Sequence, residues 1–469
     1  MILDIFRWLG FATLGYFILM QTYLLVMALI SSTELRRNHH LRRFGRVGER
    51  LSSRMTPPLS IIIPAYNEQA GIADSIRSMS IVKYPRFEII VVNDGSTDRT
   101  LQELIDAFEL EKVRIPYRPD LPTEEMRGIY RGRGGVDITV IDKENGGKTD
   151  ALNAGINAAR YPYVLCTDAD VILAPDCLAQ AMQRVIEDRG RTVCVAGNVR
   201  PLNGSEIRLG HLIQARVPEG FVARMQVLEY VRTFLATRPA WSRINGLPLA
   251  SGAFGIWKKD SVLAIGGFTK DHLGEDLDLT MRMHRYHLEN KIPYRIVYEP
   301  SAVIWTEVPE TLRVLRRQRI RWHRGLMRAT RDFMSMTFNP RYRQVGLVTW
   351  PGMFLFEYIA PIVEFGGWVI LPLGYALGVF SPPLFGWMIL LALGMGLLNS
   401  FVALLLDESY GYFNSPEDTS RLIVMTLVEN LGLRQLTLIW RVTALLGGTG
   451  RKSWGNMERR GVRNLAKQH

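Results

Sequence analysis

Apolar and polar positions alternate along this chain in two different textures. From Leu9 to Ile30 there is no Asp, Glu, Lys or Arg in 22 residues. A helix of that length reaches across about 30 Å of hydrocarbon. The run is too long for the apolar part of a cleaved leader, and a cationic stretch follows it, so it predicts a retained anchor. From Leu59 to about Phe333 the pattern becomes one of short apolar, β-branched runs. Strands are predicted at Leu59–Ile63, Phe87–Val92, Asp137–Ile141, Tyr163–Thr167 and Val193–Ala196. Helical patterns near Gln69–Met79, Thr97–Glu109, Lys148–Ala159 and Pro175–Ile186 follow the first four. This order implies an α/β, doubly wound, mostly parallel sheet, whose ligands bind at the carboxyl ends of its strands. Arg114–Val136 reads as an insertion loop and Arg200–Val222 as a second.

After about Gly346 the chain turns apolar again. Met353–Val379 and Phe385–Leu406 are each long enough to span a membrane. Glu357 and Glu364 within the first should face protein or water rather than lipid. Leu422–Leu446 is interrupted by Glu429, Asn430, Arg434 and Gln435. It is either a broken or re-entrant segment or a pair of interfacial helices. The resulting domains are an anchor and basic linker (1–58), an α/β domain with interfacial helices (59–335), and a second membrane region with a basic tail (336–469).

Composition narrows the class. Hydrophobic residues make up 47% of 469 and charged residues 22%, which excludes a disordered chain. Cys166, Cys177 and Cys194 form no C-x-x-C pair and are too few for a disulfide scaffold. Lys and Arg number 57 against 45 Asp and Glu, a net +12. Much of the basic charge sits in three places: Arg36, Arg37, Arg42, Arg43, Arg46, Arg50 and Arg54; the stretch Arg313–Arg331; and the tail Arg451–Lys467. The positive-inside rule puts the first and last in the cytoplasm. No groove-reading element accompanies the charge, so nucleic acid is not the expected partner; a lipid bilayer is.

Each of the first strands ends in polar residues: Pro64-Ala65-Tyr66-Asn67-Glu68, then Asn93-Asp94-Gly95-Ser96, then Glu144-Asn145-Gly146-Gly147-Lys148, then Asp168-Ala169-Asp170. One such loop is ordinary turn chemistry; four on one sheet edge point to a site. In extended chain Asp168 and Asp170 fall on one side, which suits a divalent cation completed by phosphate oxygens and water. Gly146-Gly147-Lys148 is not a P-loop, because Asp142 stands where glycine would be needed. It still offers a lysine and bare N–H groups at a helix start, a contact for pyrophosphate. Of the adjacent Glu275 and Asp276 at most one is catalytic. Arg313–Arg331 is a basic amphipathic surface in which Gln318, Arg321 and Trp322 group within about one turn, combining an arginine phosphate clamp with a stacking ring.

This ordered set, ending in Gln318-Arg319-Ile320-Arg321-Trp322 and flanked by apolar spans, resembles the family 2 membrane-embedded processive β-glycosyltransferases. These include the poly-N-acetylglucosamine, hyaluronan, chitin and cellulose synthases. The resemblance runs from about Leu59 to Gly325. It implies a GT-A fold and a UDP-sugar donor such as UDP-GlcNAc or UDP-Glc. By the same resemblance Ala65, Tyr66 and Glu68 would hold the uracil, and Asp94 would help place the uridine. Lys148 and Asp168 would lie near the diphosphate and ribose. Asp170 would coordinate Mg²⁺ or Mn²⁺, and Asp276 would be the general base. Glu275, Gln318, Arg319, Arg321 and Trp322 would contact pyrophosphate and acceptor, with Ser251 and Gly252 lining the acceptor site. The implied protein is a multi-pass enzyme of a bacterial-type inner or plasma membrane. It would extend a polysaccharide acceptor from the cytoplasmic side by inverting transfer and couple synthesis to export, with room for an auxiliary export subunit. Gly274 stands where the poly-N-acetylglucosamine and cellulose branches usually carry Thr, so the resemblance leaves the sugar open. Two other readings stand beside it: a non-processive transferase acting on a polyprenyl phosphate or glycolipid, and a non-catalytic receptor on a transferase scaffold.

Overall fold

The structure, a computed structural model, describes residues 1–44, 56–114, 116–132, 137–208, 211–413 and 415–447. Arg46, Arg50, Arg54, the end of the first insertion and the basic tail lie outside the described residues. The chain forms two compact units. Among the described residues, one comprises Arg37–Pro218 and Ser242–Val308; the other comprises Met1–Arg36, Glu219–Trp241 and residues 309–447.

The first unit is built on a mixed sheet. Its strands are β1 (Leu59–Ala65), β2 (Phe87–Asp94), β3 (Leu110–Val113), β4 (Met126–Gly132), β5 (Ile138–Lys143), β6 (Tyr163–Cys166), β7 (Val171–Leu173), β8 (Thr192–Pro201), β11 (Gly255–Lys258) and β12 (Arg295–Thr306). They lie in the order β3-β4-β5-β2-β1-β6-β11-β8-β12-β7. A separate hairpin joins β9 (Glu206–Arg208) and β10 (His211–Gln214). The centre, β5-β2-β1-β6, is parallel. Here the sequence runs Ile61-Ile62-Ile63 and Ile89-Ile90-Val91-Val92 without alternation, and all of these side chains are buried, as a sheet covered on both faces requires. Towards the edges β4 is antiparallel to β3 and β5, β11 to β6 and β8, and β7 to β12. The expected doubly wound sheet is therefore its parallel centre, with mixed flanks.

The two expected loops are partly strand. Within Arg114–Val136, Met126–Gly132 pairs with β5 and sets Ile129 opposite Ile141. Its glycines and arginines imitate a loop because the strand lies one place from the sheet edge, where polar side chains such as Arg127 and Arg131 are tolerated. Within Arg200–Val222, β8 runs on to Pro201 and the hairpin follows.

Helices Ile72–Ser80, Thr100–Phe108, Lys148–Ala158 and Cys177–Glu187 follow β1, β2, β5 and β7. The Lys148–Ala158 helix is buried from Thr149 to Asn157, which explains its small residues. A Cβ on Gly155 would stand 2.3 Å from Ile62 Cγ2 of β1. Its two asparagines act as latches. Asn153 exchanges hydrogen bonds with the backbone of Phe268, accepting at 2.8 Å and donating at 3.0 Å. Asn157 does the same with Leu121, at 2.9 Å each way.

Among the described residues three helices are long and apolar enough to cross a membrane: Leu3–Asn38, Val345–Ala376 and Pro382–Glu408. They overlap the three stretches expected from sequence. Leu422–Leu446 falls into Pro416–Val428 and Arg434–Leu446, joined by a π-helical turn, Glu429–Leu433. Its charges are paired within the second unit. Arg441 meets Glu357 at 3.2 Å, Arg434 meets Glu364 at 3.8 Å, and Arg232 donates to Glu429 at 2.7 Å. Glu364, 13% exposed, thus faces protein, as its cost in an apolar segment demands, whereas Glu357 stays paired with Arg441 but half exposed.

Replacing Gly155 by Val should overpack the helix against β1, because Ile62 is fully buried and has no room to yield. The expected loss is about 1–3 kcal/mol, read as a lower thermal midpoint of the detergent-solubilised protein.

Candidate active site

The carboxyl ends of β1 and β2 are laced together before any ligand is considered. Asn67, in the left-handed region at φ 56°, accepts from Thr97 N–H at 2.8 Å and donates its own N–H to Ser96 Oγ at 3.0 Å. Glu68 N–H donates to Thr100 Oγ1 at 2.9 Å. Ala65 is buried, Glu68 half-buried, and the Tyr66 ring stands 45% exposed at the mouth of this edge.

The next loop hangs on Asp94. Its carboxylate accepts from Gly146 N–H at 3.0 Å and Gly147 N–H at 2.8 Å, and its carbonyl accepts from Asn145 Nδ2 at 2.7 Å. Gly147 sits at φ 87°, a conformation that a side chain would strain. Sequence reading missed the cation behind this arrangement. Lys143 is 1% exposed and lies 2.8 Å from Asp94 and 2.6 Å from Asp150. The only local signal is a lysine ending an apolar strand; its partner Asp94 becomes visible only through the parallel register of β2 and β5.

The turn delivers Lys148 to the centre of the site. Its ammonium lies 2.6 Å from Asp168 and 3.1 Å from Glu275. Burial alone would lower its pKa, but the two carboxylates outweigh burial and the pKa is raised. Asp276, next to Glu275 at the start of the Glu275–Glu289 helix, accepts from Gly252 N–H at 3.1 Å and Leu277 N–H at 2.8 Å. Burial, then the charge of Glu275, raises its pKa from 3.8 to about 6, although these N–H groups and Lys148 pull the other way. The Gly252 loop is fixed from beneath: Thr167 donates to Ala253 O at 2.8 Å, and Ala250 N–H donates to Thr280 Oγ1 at 3.1 Å. A Cβ on Gly252 would meet Lys148 Nζ at 3.3 Å and Glu275 Oε1 at 3.4 Å, so glycine lets the backbone approach both. Ser251 stands half-buried beside it.

The structure thus brings together Lys148, Asp168, Glu275, Asp276, Ser251 and Gly252. Asp168-Ala169-Asp170 is not extended chain. It occupies the turn between β6 and β7, so strand alternation is not what orients its carboxylates. Among the described residues no three His, Cys, Asp or Glu side chains gather to hold a metal. One or two aspartates at a turn still fit Mg²⁺ or Mn²⁺, which take few protein carboxylates when phosphate completes the shell.

Gln318, Arg319, Arg321 and Trp322 belong to the other unit, on the Leu312–Asp332 helix. Gln318 and Arg319 are buried and Arg321 half-buried. Arg319 pairs with Glu229 at 2.6 Å, and its guanidinium lies 4.4 Å from the centre of the Trp322 ring, which is 42% exposed. Arg319 therefore fixes the exposed ring, while Arg313, Arg316 and Arg317 face outward.

A family model described as glycosyl transferase family 2 matches residues 60–243, and one described as glycosyl transferase family group 2 matches residues 163–404. Over 286 residues the chain is 30% identical to a poly-beta-1,6-N-acetyl-D-glucosamine synthase of Staphylococcus aureus, covering 61% of this chain and 58% of that protein. The synthase of the same name from Staphylococcus epidermidis is 29% identical over 304 residues, 62% of each chain. In both, the match spans less than two thirds of the relative's length. Among solved structures, a mannosyltransferase from Pyrobaculum calidifontis in complex with GDP-Man and Mn²⁺ aligns with a TM-score of 0.49 and 17% identity, over 88% of this chain and 99% of that one.

Cys166, Leu152, Trp257 and Phe268 line a small recess beneath Ser251, Glu275 and Asp276. Burial pushes the Cys166 thiol up to about 12, and Cys177 and Cys194 are buried and raised as well. Iodoacetamide at pH 8 should therefore leave all three unmodified in the folded protein and label all three after denaturation, as counted by mass spectrometry.

Proposed function

This chain belongs to glycosyl transferase family group 2, and on that premise we propose that it extends a β-linked polysaccharide from a UDP-sugar donor of the UDP-GlcNAc or UDP-Glc type. The observation that carries this reading is the gathering of Lys148, Glu275 and Asp276 around Gly252, where a Cβ would lie within 4 Å of all three side chains. Asp276 is a half-buried carboxylate whose pKa is raised to about 6, and Lys148 is a largely covered ammonium shared by Asp168 and Glu275.

In this reading an acceptor hydroxyl attacks the anomeric carbon of the donor. Asp276 takes the hydroxyl proton, the bond from the sugar to the UDP oxygen breaks, and the configuration inverts. Glu275 is committed to Lys148, which leaves Asp276 as the base. Its pKa of about 6 suits it, since a general base works best when its pKa lies close to the operating pH. Both backbone donors to Asp276 hold the carboxylate still and leave lone pairs free to accept the proton. Lys148 contributes positive charge where the diphosphate gathers negative charge. Asp170, with Asp168 beside it, would hold Mg²⁺ or Mn²⁺, which supplies charge neutralisation at the diphosphate. Ala65, Tyr66 and Glu68 would contact the uracil, and Asp94 would act on the uridine side through the loops it holds. Ser251 and Gly252 would line the acceptor side, with Gln318, Arg321 and Trp322 contacting pyrophosphate and acceptor sugar and Arg319 bracing the tryptophan.

The three apolar helices would carry the chain across a bilayer, and the arginines from Arg36 to Arg54 would mark its cytoplasmic side, where a nucleotide sugar is available. Export of the polymer, with or without an auxiliary subunit, would follow from that placement.

Membranes containing the protein, given a panel of UDP-sugars with Mg²⁺ or Mn²⁺, should release UDP and yield a polymer. A product of one added sugar would overturn processive extension, and absence of UDP release would overturn transfer altogether. Asp276→Asn should lower turnover by about 10²–10⁴-fold, the range removed with a general base, while UDP binding persists. Because Asp276 accepts a proton only when ionised, kcat/KM should fall as pH drops below about 6 and level off above it.

A further inference from the structure

We propose that Lys143 is a positioning residue: by holding Asp94 and Asp150 together it fixes the Gly146-Gly147-Lys148 turn and so sets where the Lys148 ammonium stands. The proposal rests on the functional reading above only for the task given to Lys148.

Lys143 ends β5 directly beside Asp94, the last residue of β2. Its side chain is 1% exposed, and an ammonium taken out of water survives only with carboxylates around it. It has two. Asp94 Oδ1 at 2.8 Å leads to the near side of the turn, because the same carboxylate binds the N–H groups of Gly146 and Gly147. Asp150 Oδ1 at 2.6 Å leads to the far side, because Asp150 lies in the first turn of the helix that Lys148 opens. Asp150 also accepts from Glu124 N–H at 3.1 Å, which ties in the loop before β4. One buried cation therefore grips the chain on both sides of Lys148. The arrangement has no slack: a Cβ on Gly146 would stand 2.5 Å from Asp150 Cγ.

Charge decides what happens without Lys143. Asp94 and Asp150 each lie within 3 Å of the same nitrogen. Without it, two buried carboxylates face one another uncompensated, and repulsion between them pulls the turn open. Lys148 has to reach 2.6 Å to Asp168 and 3.1 Å to Glu275 from that turn, so a small displacement breaks both contacts.

The test is a double-mutant cycle with two readouts. Lys143→Met, Lys148→Ala and the pair are made in the full-length chain, and UDP release gives kcat and KM for the UDP-sugar. Lys143→Met is expected to lower kcat/KM at least tenfold. Adding Lys148→Ala to it should cost little more, since the lysine is already misplaced. Multiplying losses, or a folded Lys143→Met with the kcat/KM of the unaltered chain, would overturn the proposal. A purely structural loss would lower the active fraction and leave KM and the multiplicative behaviour intact. Hydrogen exchange of the peptide spanning 144–150 provides a readout independent of turnover. Faster exchange in Lys143→Met supports the proposal, and unchanged exchange refutes it, even if the unaltered protein releases no UDP and the functional reading itself fails. Should Lys143→Met not fold, Lys143→Met/Asp150→Asn, which removes one charge of each sign, takes its place with the same outcomes.

Discussion

Removing charge from water costs several kcal/mol per ion, and only partners close by can offset it. The carboxyl edge of the parallel strands faces that constraint in concentrated form. Asp94 and Asp150 gather on one ammonium, Lys143, and Asp168 and Glu275 on another, Lys148, five residues further along, with Asp276 beside Glu275. The geometry of the site follows from how these charges are shared. Lys143 satisfies the carboxylates that build the loop. Lys148 satisfies Asp168 and Glu275. Asp276, left with backbone N–H groups and a charged neighbour, is the one whose proton affinity rises. The chemistry proposed for it is thus a by-product of where the cations are used up.

The other unit meets the same constraint with arginine. Arg232, Arg434 and Arg441 each answer a glutamate on a different helix, and Arg319 answers Glu229. A planar guanidinium can keep its charge while making several hydrogen bonds in one plane. Arg232 illustrates this by donating to Ser400 at 2.8 Å as well as to Glu429. Arg319 adds a third use, stacking on Trp322 so that a large ring can stay partly exposed without swinging freely.

The parallel centre of the sheet was legible because its strands are buried on both faces and read as unbroken apolar runs. β4, β11 and β12 were not. β4 carries Arg127 and Arg131, β11 is four residues long, and β12 is interrupted at Pro300 and Ser301, where its pairing with β8 shifts register. Among the site residues, Lys148, Asp168, Glu275 and Asp276 announced themselves through loops at strand and helix ends, and they lie together. Lys143 did not, because its meaning depends on a partner 49 residues away in a parallel pairing that no local pattern encodes. The orientation of Asp168 and Asp170 was misjudged for a related reason: β6 stops at Cys166, two residues short of the first carboxylate.

The pairing of Arg232 with Glu429 also has a history. The two residues are 197 positions apart, so the arginine is made first and waits for its carboxylate. At roughly 5–20 residues per second that interval lasts about 10–40 s. Throughout it, the segment from Phe221 to Arg243 carries a cation that has no place in hydrocarbon. It must rest where water or lipid phosphate can serve as a temporary counter-ion, and it locks into place only once Glu429 has been synthesised.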